Sequence, residues 1–305
     1  MNIPKISKIT DHIDDDLISE AVEYKSTKEK NACVKWIAVA ACLCLIMAVI
    51  MFGQTATSPI EKNSDVVLTE NGVKIPNMKI SLNDKSDMIG FFIYHGKCYA
   101  RYESVNNIEI VGKYVGTSTG LIDEWSPEEG YVELAGNVKG DFFTVKGYDP
   151  AFMLCMKEGP DAVTTYICNN GITLKYGSEL YEDRLHLSDN YSSVQCETHE
   201  SWNNSKNDLY QIKCNDKVIN SFIEQLDKAE FIPCPGVTAS ENKKTSYIDG
   251  NEIYHLYFKM YNGMTIHLIL YENGYICFHG LRDVCVQIPK ESFTPLVDLI
   301  KSSSN

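Results

Sequence analysis

One continuous apolar segment near the N-terminus constrains this chain more than any other feature of its sequence. The 21 residues from Ala32 to Phe52 contain one charge, Lys35, and the 17 residues from Trp36 onward contain none. A helix of this length is about 31 Å long, which matches the roughly 30 Å hydrocarbon core of a bilayer. A buried helix of a soluble protein normally keeps a polar stripe, which this segment lacks. The sequence therefore predicts one transmembrane helix over residues 32–52.

The charges on either side of this segment predict its orientation. Residues 21–35 contain four Lys, whereas residues 53–67 contain only Lys62. Cations concentrate on the cytoplasmic side of a membrane helix, so we expect a cytoplasmic N-terminus. The cationic region of a cleaved signal peptide is short, whereas 35 largely polar residues precede Trp36 here, which argues against cleavage.

Residues 1–31 have the pattern of an amphipathic helix. Apolar residues recur at spacings of three and four: Ile6, Ile9, Ile13, Leu17, Ala21 and Tyr24. So short a segment cannot bury its own apolar face, which therefore lies on a membrane or on a partner. Residues 1–35 carry 6 Lys and 7 acidic residues, which disfavours anionic lipid. We expect these six residues to bind a cytoplasmic protein.

The residues on both sides of the predicted membrane boundary carry a family resemblance. The segment Ile13–Ala21, the Lys-rich residues after it, and Trp36 with Ala40–Leu45 resemble the N-termini of single-pass membrane proteins from Clostridia-type Gram-positive bacteria; Val145–Pro150 extends the likeness. Some members of that group are assigned as anti-sigma factors, which implies a sigma factor as the cytoplasmic partner. This chain lacks the His-x3-Cys-x2-Cys zinc motif of the better-known anti-sigma domains.

The charge balance argues against nucleic acid as a partner. Lys and Arg number 28 against 41 Asp and Glu, a net charge of −13. Because residues 1–35 carry 6 of those cations and 7 of those acids, the remainder holds 22 cations and 34 anions. A net charge of −12 after residue 35 repels phosphate groups.

The segment patterns beyond residue 52 predict an α+β fold class. We expect a linker over residues 53–80, a mostly antiparallel β module over 81–185, a polar boundary over 186–208, and an α+β module over 209–305. The second module should be a helix from Asp216, a strand meander with turns at Asn262-Gly263 and Asn273-Gly274, and a helix from Lys290 to Ile300. In the first module we expect short strands around residues 90–94, 98–102, 131–135, 142–146, 152–156, 163–168 and 172–176.

Two patterns that are typical of hydrolases have weak support. Gly116–Gly120 matches the nucleophile-elbow pattern, but no helical period follows it, so we interpret it as a flexible turn. A glycosidase needs paired carboxylates, and four acids cluster at Asp123, Glu124, Glu128 and Glu129. These acids accompany a Pro-containing loop and are better interpreted as solvated. The sequence therefore predicts no catalytic residue.

Three histidines recur every 12 residues, at His255, His267 and His279, which raises the question of a metal site. Two-residue turns would place His255 and His267 on opposite faces of the sheet and His279 about 10 Å from His255. With that register the three rings cannot converge. We therefore expect histidines of the core or surface, with no metal and no cofactor.

Eight cysteines lie beyond the membrane segment: Cys98, Cys155, Cys168, Cys196, Cys214, Cys234, Cys277 and Cys285. An even number in an exported domain suggests disulfides, and Cys277 with Cys285 or Cys155 with Cys168 could be neighbours. The alternative is free thiols that act as small core hydrophobes. A zinc ribbon is excluded because no Cys-x2-Cys occurs.

These features favour a membrane-anchored regulatory or sensory protein with an extracytoplasmic domain rather than an enzyme. A surface-displayed binding module without signalling is the first alternative, and an exported hydrolase is the second.

We predict that residues 1–31 face the cytoplasm and that residues 53–305 face the exterior. A thiol introduced by Ser58→Cys should react with a membrane-impermeant reagent in intact cells, whereas one introduced by Ser26→Cys should be protected. Labelling is compared with the parent chain, which corrects for the native cysteines. The opposite pattern would contradict the predicted topology.

Overall fold

The computed structural model describes residues 66–77, 90–120, 135–213, 216–234 and 251–304, which form mostly antiparallel sheets with few helices. This arrangement confirms the α+β fold class for the described part of the chain. Among these residues, no helix combines the length and the apolar character that crossing a bilayer requires.

Several predictions from the sequence lie outside the described residues. They are the segment 1–31 with its six candidate partner-binding residues, the apolar segment 32–52, most of the expected linker, the strand around 131–134, and the four clustered acids. These remain predictions.

In the described part of the chain, sixteen strands make up three sheets and accompany four α-helices. The first nine are β1 (Val67–Thr69), β2 (Gly72–Ile75), β3 (Phe91–Tyr94), β4 (Lys97–Val105), β5 (Val111–Thr119), β6 (Lys139–Val145), β7 (Met153–Lys157), β8 (Val163–Ile167) and β9 (Ile172–Leu174). The other seven are β10 (Tyr191–Thr198), β11 (Tyr210–Gln211), β12 (Phe231–Pro233), β13 (Glu252–Met260), β14 (Thr265–Tyr271), β15 (Tyr275–Phe278) and β16 (Leu281–Gln287). The α-helices are α1 (Ser178–Tyr181), α2 (His199–Asn203), α3 (Asp216–Lys228) and α4 (Lys290–Ser303).

The six-stranded sheet has the order β3-β4-β8-β7-β6-β5. Five of its strands, all except β5, follow the predicted ones, and four of these five carry β-branched or aromatic residues. On one side of the sheet Phe92 stacks on Phe142 with ring centroids 3.6 Å apart, and Tyr166 meets both rings edge-on.

Strand β5 was not expected, and it corrects the interpretation of residues 116–120 as a flexible turn. Ser118 pairs with Gly140 of β6, is fully buried, and donates a hydrogen bond from Oγ to the carbonyl of Val138 at 2.6 Å. A nucleophile elbow needs an exposed Ser at a strand-to-helix turn. Ser118 lies inside a strand, so the elbow hypothesis fails as well.

The seven-stranded sheet has the order β11-β10-β13-β14-β15-β16-β12. One of its faces packs against α3 and α4, the two helices that the sequence predicts. Their buried residues include Phe222 and Leu226 from α3 and Leu296 and Ile300 from α4. Alternate residues of the strands, such as Leu268, complete this core. The predicted helix-meander-helix pattern is therefore present.

Two segments expected to be irregular contain strands. The polar stretch 186–208 includes β10, which pairs with β13, and the short helix α2. Only Val194 and Cys196 are buried hydrophobic residues in β10, so its alternation is too weak to predict a strand. The expected linker 53–80 includes β1 and β2, and β2 pairs with β9.

The two large sheets share one core, and the described residues 66–304 fall in one compact unit. Polar contacts at the start of β14 join the sheets. The Tyr102 hydroxyl donates to the carbonyl of Thr265 at 2.6 Å, and the Thr265 amide donates to Glu103 Oε1 at 2.7 Å. Burial raises the pKa of Glu103 to about 7, although the Thr265 amide and Lys259 act in the opposite direction.

This raised pKa predicts a pH-dependent stability. Between the unfolded pKa of about 4.3 and the native value, the native chain keeps a proton on Glu103 that the unfolded chain has lost. The free energy of unfolding should therefore fall as pH rises through this window and then level off near pH 7. Glu103→Gln cannot titrate and should lack this part of the slope in denaturant unfolding of the full chain.

Glu109→Gln provides the control, because Glu109 is an exposed carboxyl beside the same junction. This variant should keep the slope of the native chain. A constant difference in unfolding free energy between native and Glu103→Gln chains from pH 4 to pH 8 would contradict the role of Glu103.

Candidate metal centre

The register of the meander corrects the interpretation of the three histidines. Both connecting loops contain three residues, Tyr261–Gly263 and Glu272–Gly274, so that Tyr257 pairs with His267 and Leu268 with Phe278. A change of one residue in register moves every side chain of a strand to the other face. The predicted placement of His255 and His267 on opposite faces is therefore wrong.

The three-residue loops follow from their glycines. In the first loop, Gly263 has a left-handed backbone with φ of +89°, and the Met260 amide bonds to the carbonyl of Met264. Three-residue hairpins place a left-handed residue at this position after a type I turn. In the second loop, Asn273 and Gly274 both have positive φ.

As a result His255, His267 and His279 all lie on the same face of the seven-stranded sheet. This is the face opposite to α3 and α4, and we call it the histidine face. His255 Nδ1 is 2.8 Å from His267 Nε2, and the rings of His267 and His279 stack with centroids 4.4 Å apart. Burial, together with the nearby His279 and His255, lowers the pKa of His267 to about 2, which keeps this ring neutral.

The short helix α2 adds a fourth histidine. Thr198 caps this helix by accepting a hydrogen bond from the Ser201 amide, at the point where β10 ends. The turn places Trp202 over His255 with ring centroids 4.4 Å apart, and it brings His199 Nδ1 to 3.2 Å from His255 Nε2. The sequence did not single out His199, because its spacing matches no metal-binding motif.

Glu252, at the start of β13, completes the group. Its side chain is 5% exposed, and its Oε1 accepts hydrogen bonds from Arg282 at 2.6 Å and from the Tyr271 hydroxyl at 3.2 Å. Burial raises the pKa of Glu252, but contact with His255 and the charges of Arg282 and His199 outweigh it, so that the pKa lies below its ordinary value. Glu252 is therefore an ionised carboxylate.

The other carboxylate oxygen of Glu252 faces two imidazoles. Oε2 lies 2.6 Å from His199 Nδ1, at ion-pair distance, and 3.7 Å from His255 Nε2. His199, Glu252 and His255 each offer one ligand atom, and these atoms lie within 4.8 Å of one another. They could therefore hold one cation together.

The spacing of these three atoms fits one metal ion. Nitrogen and oxygen ligands lie about 2.0 to 2.2 Å from zinc, so two ligands at the tetrahedral angle are about 3.3 Å apart. The observed separations are 2.6, 3.2 and 3.7 Å, which bracket this value. We call His199, Glu252 and His255 the histidine site.

The groups around the histidine site resemble the outer shell of a metal centre. Metal-bound histidines usually donate their second ring N–H to a fixed acceptor. Neutral His267 can accept this bond from His255 Nδ1, which leaves Nε2 of His255 for an ion. Arg282 and Tyr271 fix the carboxylate in the same way through Oε1.

The histidine site is reachable from solvent. The His199 side chain is 28% exposed, and a cavity of about 530 Å³ lies beside it. The polar residues that line this cavity include Thr198, Glu200 and Lys301.

Of the two alternatives for the cysteines, the described part of the chain has free thiols rather than disulfides. Cys98, Cys155, Cys168, Cys196, Cys234, Cys277 and Cys285 are all free thiols, and Cys214 lies outside the described residues. Cys155 and Cys168 belong to different buried clusters, which excludes that pair. Cys277 and Cys285 do lie together, as the sequence suggested, but in a group of three.

Comparison with known proteins adds no family to this description. No family model, curated protein or solved structure matches the chain. The resemblance at the N-terminus therefore stays an expectation, and the function has to be inferred from the geometry of the site.

Proposed function

We propose that this chain is a single-pass membrane regulator whose exterior domain senses a divalent transition-metal ion at the histidine site. The observation that carries this proposal is the convergence of His199 Nδ1, His255 Nε2 and Glu252 Oε2, which lie 2.6 to 3.7 Å from one another. Two imidazoles and one carboxylate suit zinc and its neighbours in the transition series, and three protein ligands leave a position for water.

Arg282 limits the affinity of the histidine site. Its guanidinium balances the Glu252 carboxylate, so that an entering cation meets no excess negative charge. We therefore expect reversible binding that follows the concentration of the ion rather than permanent loading. Reversible occupancy is the property that a sensor requires.

The regulatory part of the proposal depends on the N-terminal segment. The predicted orientation places residues 1–31 in the cytoplasm, where their apolar face would bind a protein such as a sigma factor. The alternative is a surface-displayed metal-binding module whose N-terminal segment has no partner. Metal binding is common to both functions, whereas a cytoplasmic partner is specific to regulation.

We predict that the metal-free full chain in detergent binds Co²⁺ or Zn²⁺ at the histidine site. Co²⁺ absorption distinguishes nitrogen and oxygen ligands from thiolates, which add intense charge-transfer bands. Glu252→Gln and His199→Asn each remove a ligand and should weaken binding at least about a hundredfold, since loss of outer-shell groups alone costs about 10- to 100-fold.

His186→Asn is the matched control for these variants. His186 lies away from the site, with Nε2 3.0 Å from the carbonyl of Gly147, and Asn tolerates its positive φ. This variant should bind the metal as the native chain does. Equal affinity in the native, Glu252→Gln and His199→Asn chains would refute the histidine site.

We predict that replacing both Ile13 and Leu17 by Asp weakens binding to the cytoplasmic partner at least about a hundredfold. Burial of one such side chain contributes roughly 1.5 to 3 kcal/mol, and 1.4 kcal/mol corresponds to a factor of ten. A sigma factor should co-purify with the native full chain and be lost with the double variant. Ser19→Asp with Ser26→Asp adds the same charge to the polar face and should retain it.

If the native chain retains no cytoplasmic protein, the regulatory part of the proposal is wrong. The surface-displayed module then takes its place, and the metal titration is unaffected by that result.

A further inference from the structure

A second group of potential metal ligands lies on the histidine face, apart from the histidine site. The Sγ atoms of Cys234, Cys277 and Cys285 are all within 4.8 Å of one another, and those of Cys234 and Cys277 are 3.3 Å apart. All three residues are at most 2% exposed. We call them the thiol cluster.

The sheet itself assembles the thiol cluster. Cys277 of β15 pairs with Ile269, Cys285 of β16 pairs with Ile232, and the Cys234 amide bonds to the carbonyl of Asp283. Strand alternation directs these three side chains to the histidine face, whereas their neighbours Val284 and Val286 fill the helix-side core.

Cysteine binds a metal ion as the thiolate, so the thiol cluster releases protons when an ion enters.

We propose that the thiol cluster binds one thiophilic metal ion through three sulfur atoms, with Cu(I) as the ion that suits it best. Sulfur atoms about 2.3 Å from an ion at the corners of a triangle lie about 4.0 Å apart, between the closest observed pair at 3.3 Å and the 4.8 Å limit. Thiolates select soft ions, and three-coordination in a site without water is common for Cu(I) but unusual for zinc.

The location of Cys234 provides a route for loading. This residue directly follows β12, a strand of three residues at the edge of the seven-stranded sheet. A short edge strand separates from its neighbour at lower cost than a central strand does. Cu(I) can therefore enter when the Cys234 end of β12 parts from β16, while Phe231 at the other end of β12 stays packed in the shared core.

The thiol cluster is chemically independent of the histidine site but adjacent to it. Tyr271 packs in the same buried group as the three cysteines, and its hydroxyl donates to Oε1 of Glu252. The two sites differ in donor class, since nitrogen and oxygen suit divalent ions and sulfur suits Cu(I). Substitutions in one site should therefore leave the metal of the other site in place.

The test uses the reduced full chain in detergent, without oxygen, and Cu(I) supplied as a complex with a chromophoric chelator of known affinity. The native chain should remove one Cu(I) per molecule, and X-ray absorption should report three sulfur ligands. Cys277→Ala and Cys285→Ala should each reduce the affinity at least about a hundredfold. Cys98→Ala, which removes a buried thiol elsewhere, should bind Cu(I) as the native chain does.

Cys234→Ala is a further variant, at the end of an edge strand, where a substitution disturbs the fold less than it does in a central strand. Denaturant unfolding of every variant checks that it is folded. Three results would overturn the proposal: no Cu(I) retained against the chelator, retention by Cys234→Ala and Cys277→Ala equal to that of the native chain, or binding of Zn²⁺ but not Cu(I) at the cluster. A disulfide between Cys234 and Cys277 in protein isolated from cells would overturn it as well.

Discussion

The register of the β13–β14–β15 meander is the constraint on which the rest of this domain depends. Each loop of three residues decides which side of two strands faces the helices and which side faces away. With this register, Leu268 and Phe278 enter the core beneath the helices, while His267 and Ile269 lie on the opposite face of the sheet. A two-residue loop in either position would bury histidines under the helices, where an imidazole needs partners that an aliphatic core does not offer.

The two buried carboxylates of the histidine face differ in the kind of partner that they have. Glu197 accepts hydrogen bonds from the hydroxyls of Tyr257 and Ser201, one on each carboxylate oxygen. Glu252 has Tyr271 and Arg282 on Oε1, but Oε2 faces the imidazoles of His199 and His255. Hydroxyl donors fix a carboxylate in place, whereas imidazole nitrogens and a carboxylate oxygen are themselves possible metal ligands.

The helices and most strands were predictable because their apolar periodicity is strong, as in α3 and α4. Strand β10 was not, because a polar strand with two buried hydrophobic residues has no clear alternation. The histidine face was missed for a different reason. An Asn-Gly pair indicates a hairpin but does not fix the number of loop residues, and a single residue decides the face. His199 and Glu252 lie 53 positions apart in sequence, so only the fold brings them together.

The stacking of Trp202 on His255 gives the domain an internal optical reporter. An indole ring 4.4 Å from an imidazole experiences any change in charge at that ring. Trp202, one of the three tryptophans of the chain, lies against the histidine site. Its emission spectrum therefore records the electrostatic state of this surface in the unmodified protein, without a dye or a reporter fusion.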